Sequence, residues 1–224
     1  MVKKFQITSF EKAENKITEP ITKFGGQPVW LEEPQWPVSG SYEDDDGNAY
    51  PMTFAGQIAL EDGALGNKGK KIAYIFISQG EDSIDSSIHD FDGGENEIII
   101  QPGGTPGCDI LVSAEGPTCS DCEYIPKLQE DCDPEFISDA DFDEMSSGKK
   151  MDYLSIVGGN KIGGVPRFHM GDQWPDDDPG EYTLLLQLDS CTLPFELDTY
   201  GEAGLIFAFV DKGFEYGGLI IQTD

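Results

Sequence analysis

Arginine is almost missing from this chain: Arg167 is the only one in 224 residues, and histidine occurs twice, at His89 and His169. Lys and Arg together number 14 against 43 Asp and Glu, a net charge of −29. A surface of this sign repels phosphate backbones and anionic headgroups, because nucleic-acid affinity depends on cations displacing counterions. Neither nucleic acid nor membrane is therefore expected as a partner, whereas a basic protein would be steered in quickly. The same acidity also serves plain solubility or a saline interior. Two histidines leave few candidates for imidazole acid–base chemistry. No run approaches the ~20 apolar residues of a membrane span. Met1-Val2-Lys3-Lys4 opens like the charged start of a leader, but residues 5–10 are too short and too polar to continue one. With five cysteines, an odd count, the expected setting is reducing and cytoplasmic.

What is present suits a folded protein of many short elements. The chain is 38% hydrophobic and 11% aromatic, and its 27 Gly and 14 Pro favour turns over long helices. Lys23-Phe24-Gly25-Gly26-Gln27-Pro28, then Gln35-Trp36-Pro37, is matched by Lys161-Ile162-Gly163-Gly164-Val165-Pro166, then Gln173-Trp174-Pro175. The first Gly precedes the Trp by eleven residues in both. Further on, 52–58 aligns with 182–188, 72–77 with 205–210, and 98–101 with 219–222. The offset shrinks from 138 to 121 residues because the first stretch carries longer loops. These matches imply an internal duplication.

The first aligned pair alternates apolar and polar residues, predicting strands with one face on a core and Gln57 or Gln187 on the other. The second pair is apolar throughout, predicting strands buried on both faces. The expected fold class is α+β, mainly β, with two packed β-rich units at 17–105 and 151–224. A connector at 106–150 separates them, irregular apart from a short helix at 140–146. A Gly pair permits positive φ or close approach, and the proline two positions on fixes the exit angle. The tryptophans and glutamines are open to two readings, as core anchors or as walls of a groove where the units meet. With the neighbouring Arg167 and His169, the candidate binding set is Trp36, Gln57, Arg167, His169, Trp174 and Gln187.

Cys108, Cys119, Cys122 and Cys132 lie within 25 residues, and Cys119-Ser120-Asp121-Cys122 has the spacing of a zinc knuckle. Structural zinc, a disulfide and free thiols all remain open, since the other two cysteines are not paired in sequence. Asp139-Ala140-Asp141-Phe142-Asp143 starts like a calcium loop. Glu144 then stands where Gly is needed and Lys150 where the bidentate Glu belongs. Gly69-Lys70 has Ala64 at the position of a phosphate loop's first glycine and Lys71 in place of its Ser or Thr, so it is not a phosphate loop. No constellation names a reaction.

The Lys-Phe-Gly-Gly-Gln-Pro-Val-Trp…Trp-Pro…Met-Thr-Phe-Ala-Gly-Gln-Ile string of residues 23–58 resembles the YwqG-like family of bacterial proteins of uncharacterised function. Residues 163–209 are similar to that family's second half. More distantly, the first unit resembles the programmed-cell-death-2 proteins, chaperones for a basic ribosomal protein. The resemblance implies a β-rich duplicated fold and a protein-binding role, chaperone-like or immunity-like, and it supplies no catalytic residues. The alternative is an enzyme or small-ligand-binding protein using a groove between the units.

Overall fold

Alternating or two-faced apolar runs become strands here, and their pairing builds one large sheet. The computed structural model describes residues 1–44, 46–61, 63–66, 68–78, 90–197 and 203–223. The strands are β1 (Val2–Lys12), β2 (Lys23–Phe24), β3 (Trp36–Glu43), β4 (Ala49–Pro51), β5 (Thr53–Ala59), β6 (Ile72–Ile77), β7 (Asn96–Gln101), β8 (Ile110–Leu111), β9 (Tyr124–Asp133), β10 (Lys161–Gly163), β11 (Tyr182–Asp189), β12 (Gly204–Asp211) and β13 (Gly217–Thr223). Two helices, α1 (Asp139–Asp143) and α2 (Ser147–Val157), precede β10. The protein is mainly β.

Ten strands form a sheet in the order β13-β12-β11-β10-β1-β9-β2-β5-β6-β7, and β4-β3-β8 make a smaller one. At the middle, β1 and β9 pair antiparallel from Val2↔Asp133 to Lys12↔Tyr124, with a bulge between Ile7 and Ser9. Four strands follow on either side, so the two outermost, β7 and β13, curl toward each other. Asn96 bridges them: the Leu219 N–H donates to its Oδ1 at 2.6 Å, and its Nδ2 donates to the Leu219 carbonyl at 3.4 Å. Thr105 N–H to Glu215 O (2.8 Å) and Lys71 Nζ to Phe214 O (3.1 Å) add to the seam. The sheet is thus a nearly closed barrel.

Closure explains the two-faced apolar strands. On β6, Ala73, Ile75 and Ile77 point into the barrel, while Ile72, Tyr74 and Phe76 pack outside against Trp30 and Trp36. On β12, Ile206, Ala208 and Val210 point in, while Leu205, Phe207 and Phe209 pack outside against Phe168 and Trp174. Every one of these strand residues is buried. At about 25 cal/mol per Å² of apolar surface, such two-sided burial is the main favourable term.

Both Gly-Gly turns sit beside a buried ion pair. Gly25, Gly26, Gly163 and Gly164 all have positive φ (69°, 63°, 72° and 81°). A Cβ on Gly26 would overlap the Glu123 side chain, and one on Gly164 would overlap Asp133. Beneath these turns, Lys23 pairs with Glu123 and donates to Gln27 O at 2.6 Å. Lys161 pairs with Asp133 at 2.6 Å and donates to Val165 O and Val157 O. Lys4 reaches the other Asp133 oxygen at 2.7 Å. Burial lowers the Lys161 pKa to about 8, against the pull of Asp133.

The connector differs from the expectation. Residues 124–133, expected irregular, form β9 in the middle of the sheet. Their outward side chains are polar and Pro126 interrupts the pattern, which hides the strand in sequence. The helix expected at 140–146 is displaced to Asp139–Asp143, capped by Ser138, and a second helix follows at Ser147–Val157. Among the described residues, no helix is long and apolar enough to cross a membrane.

Candidate functional site

The segment after the second Gly-Gly turn, residues 165–177, crosses the outside of β11 to β13 and separates two cavities. Two buried glutamines hold its backbone. Gln187 Oε1 accepts the Arg167 N–H at 2.8 Å. Gln222 Oε1 accepts from His169 N–H (2.9 Å) and Met170 N–H (3.3 Å), and its Nε2 donates to Gly171 O at 3.0 Å. Phe168 and Trp174 turn inward, with ring centroids 5.7 Å apart, and rest on Phe207 and Phe209. Arg167, half-buried, and the acidic residues border the cavities on either side.

The first cavity lies at the barrel seam, where residues 90–93 meet residues 170–177 and the end of β13. Its volume is about 510 Å³. Phe91, Met170 and Trp174 form its apolar surface, and Asp90, Asp92, Asp172, Asp176 and Asp177 surround them. Among the described residues, no Lys or Arg lines it. Asp176 and Asp177 are held at φ 53° and 55°, a region that aspartate tolerates better than most residues. Asp176 is fixed by the Tyr182 hydroxyl, which donates to it at 2.6 Å. Burial pushes the Tyr182 phenol up, which keeps it a donor. Burial also pushes the Asp172 carboxyl up from its ordinary value.

The second cavity, about 380 Å³, lies on the other side of the segment against α1 and α2. Phe136, Phe142, Tyr153 and Phe168 line it, with Arg167 and His169 on one side. Asp139, Asp143 and Asp172 also border it.

Of the six candidate binding residues, these cavities gather three: Trp174 in the first, Arg167 and His169 in the second. The other three are core. Trp36 has no exposed surface, and its Nε1 donates to Met52 O at 2.7 Å. Gln57 is fully buried; it accepts from Val29 N–H at 2.9 Å and donates to Ile21 O at 2.8 Å. Gln187 plays the same part under Arg167. Their matched positions reflect a structural duty. Phe91, Asp172, Phe136 and Phe142 were missed, because nothing local in the sequence marks them. His89 and the stretch 79–89 lie outside the described residues.

The cysteines do not converge, and the zinc site is corrected accordingly. Cys108 sits beside buried Glu97, and its thiol is pushed up to about 12 by burial and that carboxylate. Cys119 donates to Ala55 O at 3.4 Å, and burial pushes it up to about 12. Cys122 lies against Lys12, and Cys132 is exposed on β9 opposite Lys3. All five thiols are free. Among the described residues, no group of three or more His, Cys, Asp or Glu could hold a metal ion. The calcium-like run at 139–143 is helix α1 instead.

No family model matches the chain, and no curated protein matches it.

Proposed function

We propose that this protein is a non-enzymatic binding module for a basic protein partner, and that the seam cavity receives a lysine or arginine side chain of that partner. The carrying observation is the cavity's composition: five aspartates around an apolar surface of Phe91, Met170 and Trp174, with no Lys or Arg among the described residues of its lining. Aromatic faces attract a cation by about 0.5–2 kcal/mol, and surrounding carboxylates add electrostatic steering. The rest of the surface supports the same partner. Three lysines, Lys4, Lys23 and Lys161, are buried in ion pairs and cannot offset the acids outside.

An internal duplication, with its two units at 17–105 and 151–224, is part of this reading. It is supported by equivalent hydrogen bonds under both Gly-Gly turns and by matched bulges in β5 and β11, at Phe54/Gly56 and Leu184/Leu186. Membership of the YwqG-like family, a chaperone-like or immunity-like role and a cytoplasmic setting are inferred with it. The motif strings and the acidity support them.

Affinity capture from the source lysate, with Asp92→Asn/Asp177→Asn as control, tests the proposal. A defined basic protein should be retained by the wild type, released by about 0.5 M salt, and recovered several-fold less by the variant. Retention that neither salt nor the variant alters would refute it.

A further inference from the structure

We propose that the cavity walled by Arg167 binds a small organic carboxylate with an aromatic body. This goes beyond the basic-partner reading and stands without it. Arg167 is the only arginine in a chain with 43 acidic residues. Yet among the described residues its guanidinium donates no hydrogen bond and joins no ion pair, and its Nε is buried without a partner. An arginine in so acidic a protein ordinarily finds a carboxylate, so an unengaged guanidinium leaves its donor capacity for a ligand. Arg167 lines this aromatic cavity and also the neighbouring one at Gly158 and Gly159.

The carboxylates nearest this cavity are already engaged elsewhere. Asp143 accepts from Lys150 Nζ at 3.0 Å. Asp139 accepts the Asp172 N–H at 2.9 Å, and Asp172 accepts the Asp139 N–H at 3.0 Å. The remaining acids act from a distance, where the Debye length of about 8 Å at physiological salt screens them. Arg167 acts at contact.

The ligand class follows from the lining. About 380 Å³ suits a small molecule, and Phe136, Phe142, Phe168 and Tyr153 provide ring surfaces for an apolar body. A planar guanidinium matches a carboxylate with paired hydrogen bonds. Inorganic phosphate fits poorly: its second charge would face three aspartates, and it would leave the aromatic walls unused. The backbone N–H of Arg167 is held by Gln187, so replacing the side chain leaves the segment's anchor in place.

The test is calorimetric titration of the full chain at 0.15 M salt with phenylacetate, indole-3-acetate, phenylacetamide and inorganic phosphate. At least one aromatic acid should bind, with the amide and phosphate at least about ten-fold weaker. Arg167→Lys should weaken the acid about ten-fold, and Arg167→Gln should weaken it further. Phe136→Leu, which keeps the charge, should also weaken it, with amide spectra of each variant confirming an unchanged fold. The proposal is overturned if neither acid binds, if phenylacetamide or phosphate binds as tightly, or if Arg167→Gln binds like the wild type.

Discussion

Gln57 and Gln187 hold equivalent backbone groups in two distant parts of the chain. Gln57 accepts the N–H of Val29 at 2.9 Å and donates to the carbonyl of Ile21 at 2.8 Å. Gln187 accepts the N–H of Arg167 at 2.8 Å and donates to the carbonyl of Gly159, also at 2.8 Å. Gln101 and Gln222 repeat the pattern further along, on Glu32 and Glu33 in one case and Met170 and Gly171 in the other. Each glutamine pins an outer segment to the barrel by satisfying backbone groups that no strand reaches.

Replacing either Gln57 or Gln187 by Leu should therefore cost a similar amount, about 1–3 kcal/mol, since a buried N–H and a buried carbonyl each lose a partner. Urea unfolding of the two variants measures this. A large cost at one site and none at the other would show that the two bonds are not equivalent in energy.

Asp133 serves two buried lysines, Lys4 and Lys161, on opposite oxygens. Removing it takes the paired carboxylate from Lys161 and leaves Lys4 only the more distant Asp131, at 3.9 Å. Asp133→Ala should destabilise by about 3–5 kcal/mol, the scale for breaking a buried pair. Thermal unfolding should show a clear loss of stability, and Asp143→Ala, on an exposed pair, should show little.

Glu97 is buried, and burial pushes its carboxyl up from 4.5 to about 7, partly opposed by Gly107 N–H and Cys108. Between these values the folded state holds a proton that the unfolded state has released. Stability from this group therefore falls as pH rises from about 4.5 to 7 and stays reduced above it. Glu97→Gln should gain up to about 3 kcal/mol at pH 8 and little at pH 4.5. Denaturant titrations at both pH values decide it; an equal gain at both would exclude ionisation as the cause.

Thiol reactivity should divide by burial. At pH 8, a thiol with a pKa of about 12 is about one part in ten thousand thiolate. Cys108 and Cys119 should thus resist alkylation, while exposed Cys132 and Cys191 react first. Peptide mapping after brief iodoacetamide treatment gives the order. Early labelling of Cys119 would contradict its placement.

Local pattern carried much of the fold into view. The apolar runs at 72–77 and 205–210 identify strands buried on both faces because each face meets a different core. β1 and β9 escaped notice: their outer side chains are polar, and Leu128 is 42% exposed. The glutamines were visible as a matched pair, but their partners lie 28 and 20 residues away and leave no periodic trace. The seam cavity was hidden for a stronger reason. Phe91 and Trp174 line one cavity only because β7 and β13 close the barrel, a juxtaposition that no sequence window contains.

The reading of this protein as a receptor for basic chains rests on that seam. The most direct test is titration of the isotope-labelled chain with a short lysine- and arginine-rich peptide, following backbone amides and the Trp174 indole. The account predicts saturable shifts confined to residues 90–93 and 170–177, abolished by about 0.5 M salt and by Asp92→Asn/Asp177→Asn. Shifts scattered evenly over the acidic surface, with Trp174 and Phe91 unmoved, would contradict it.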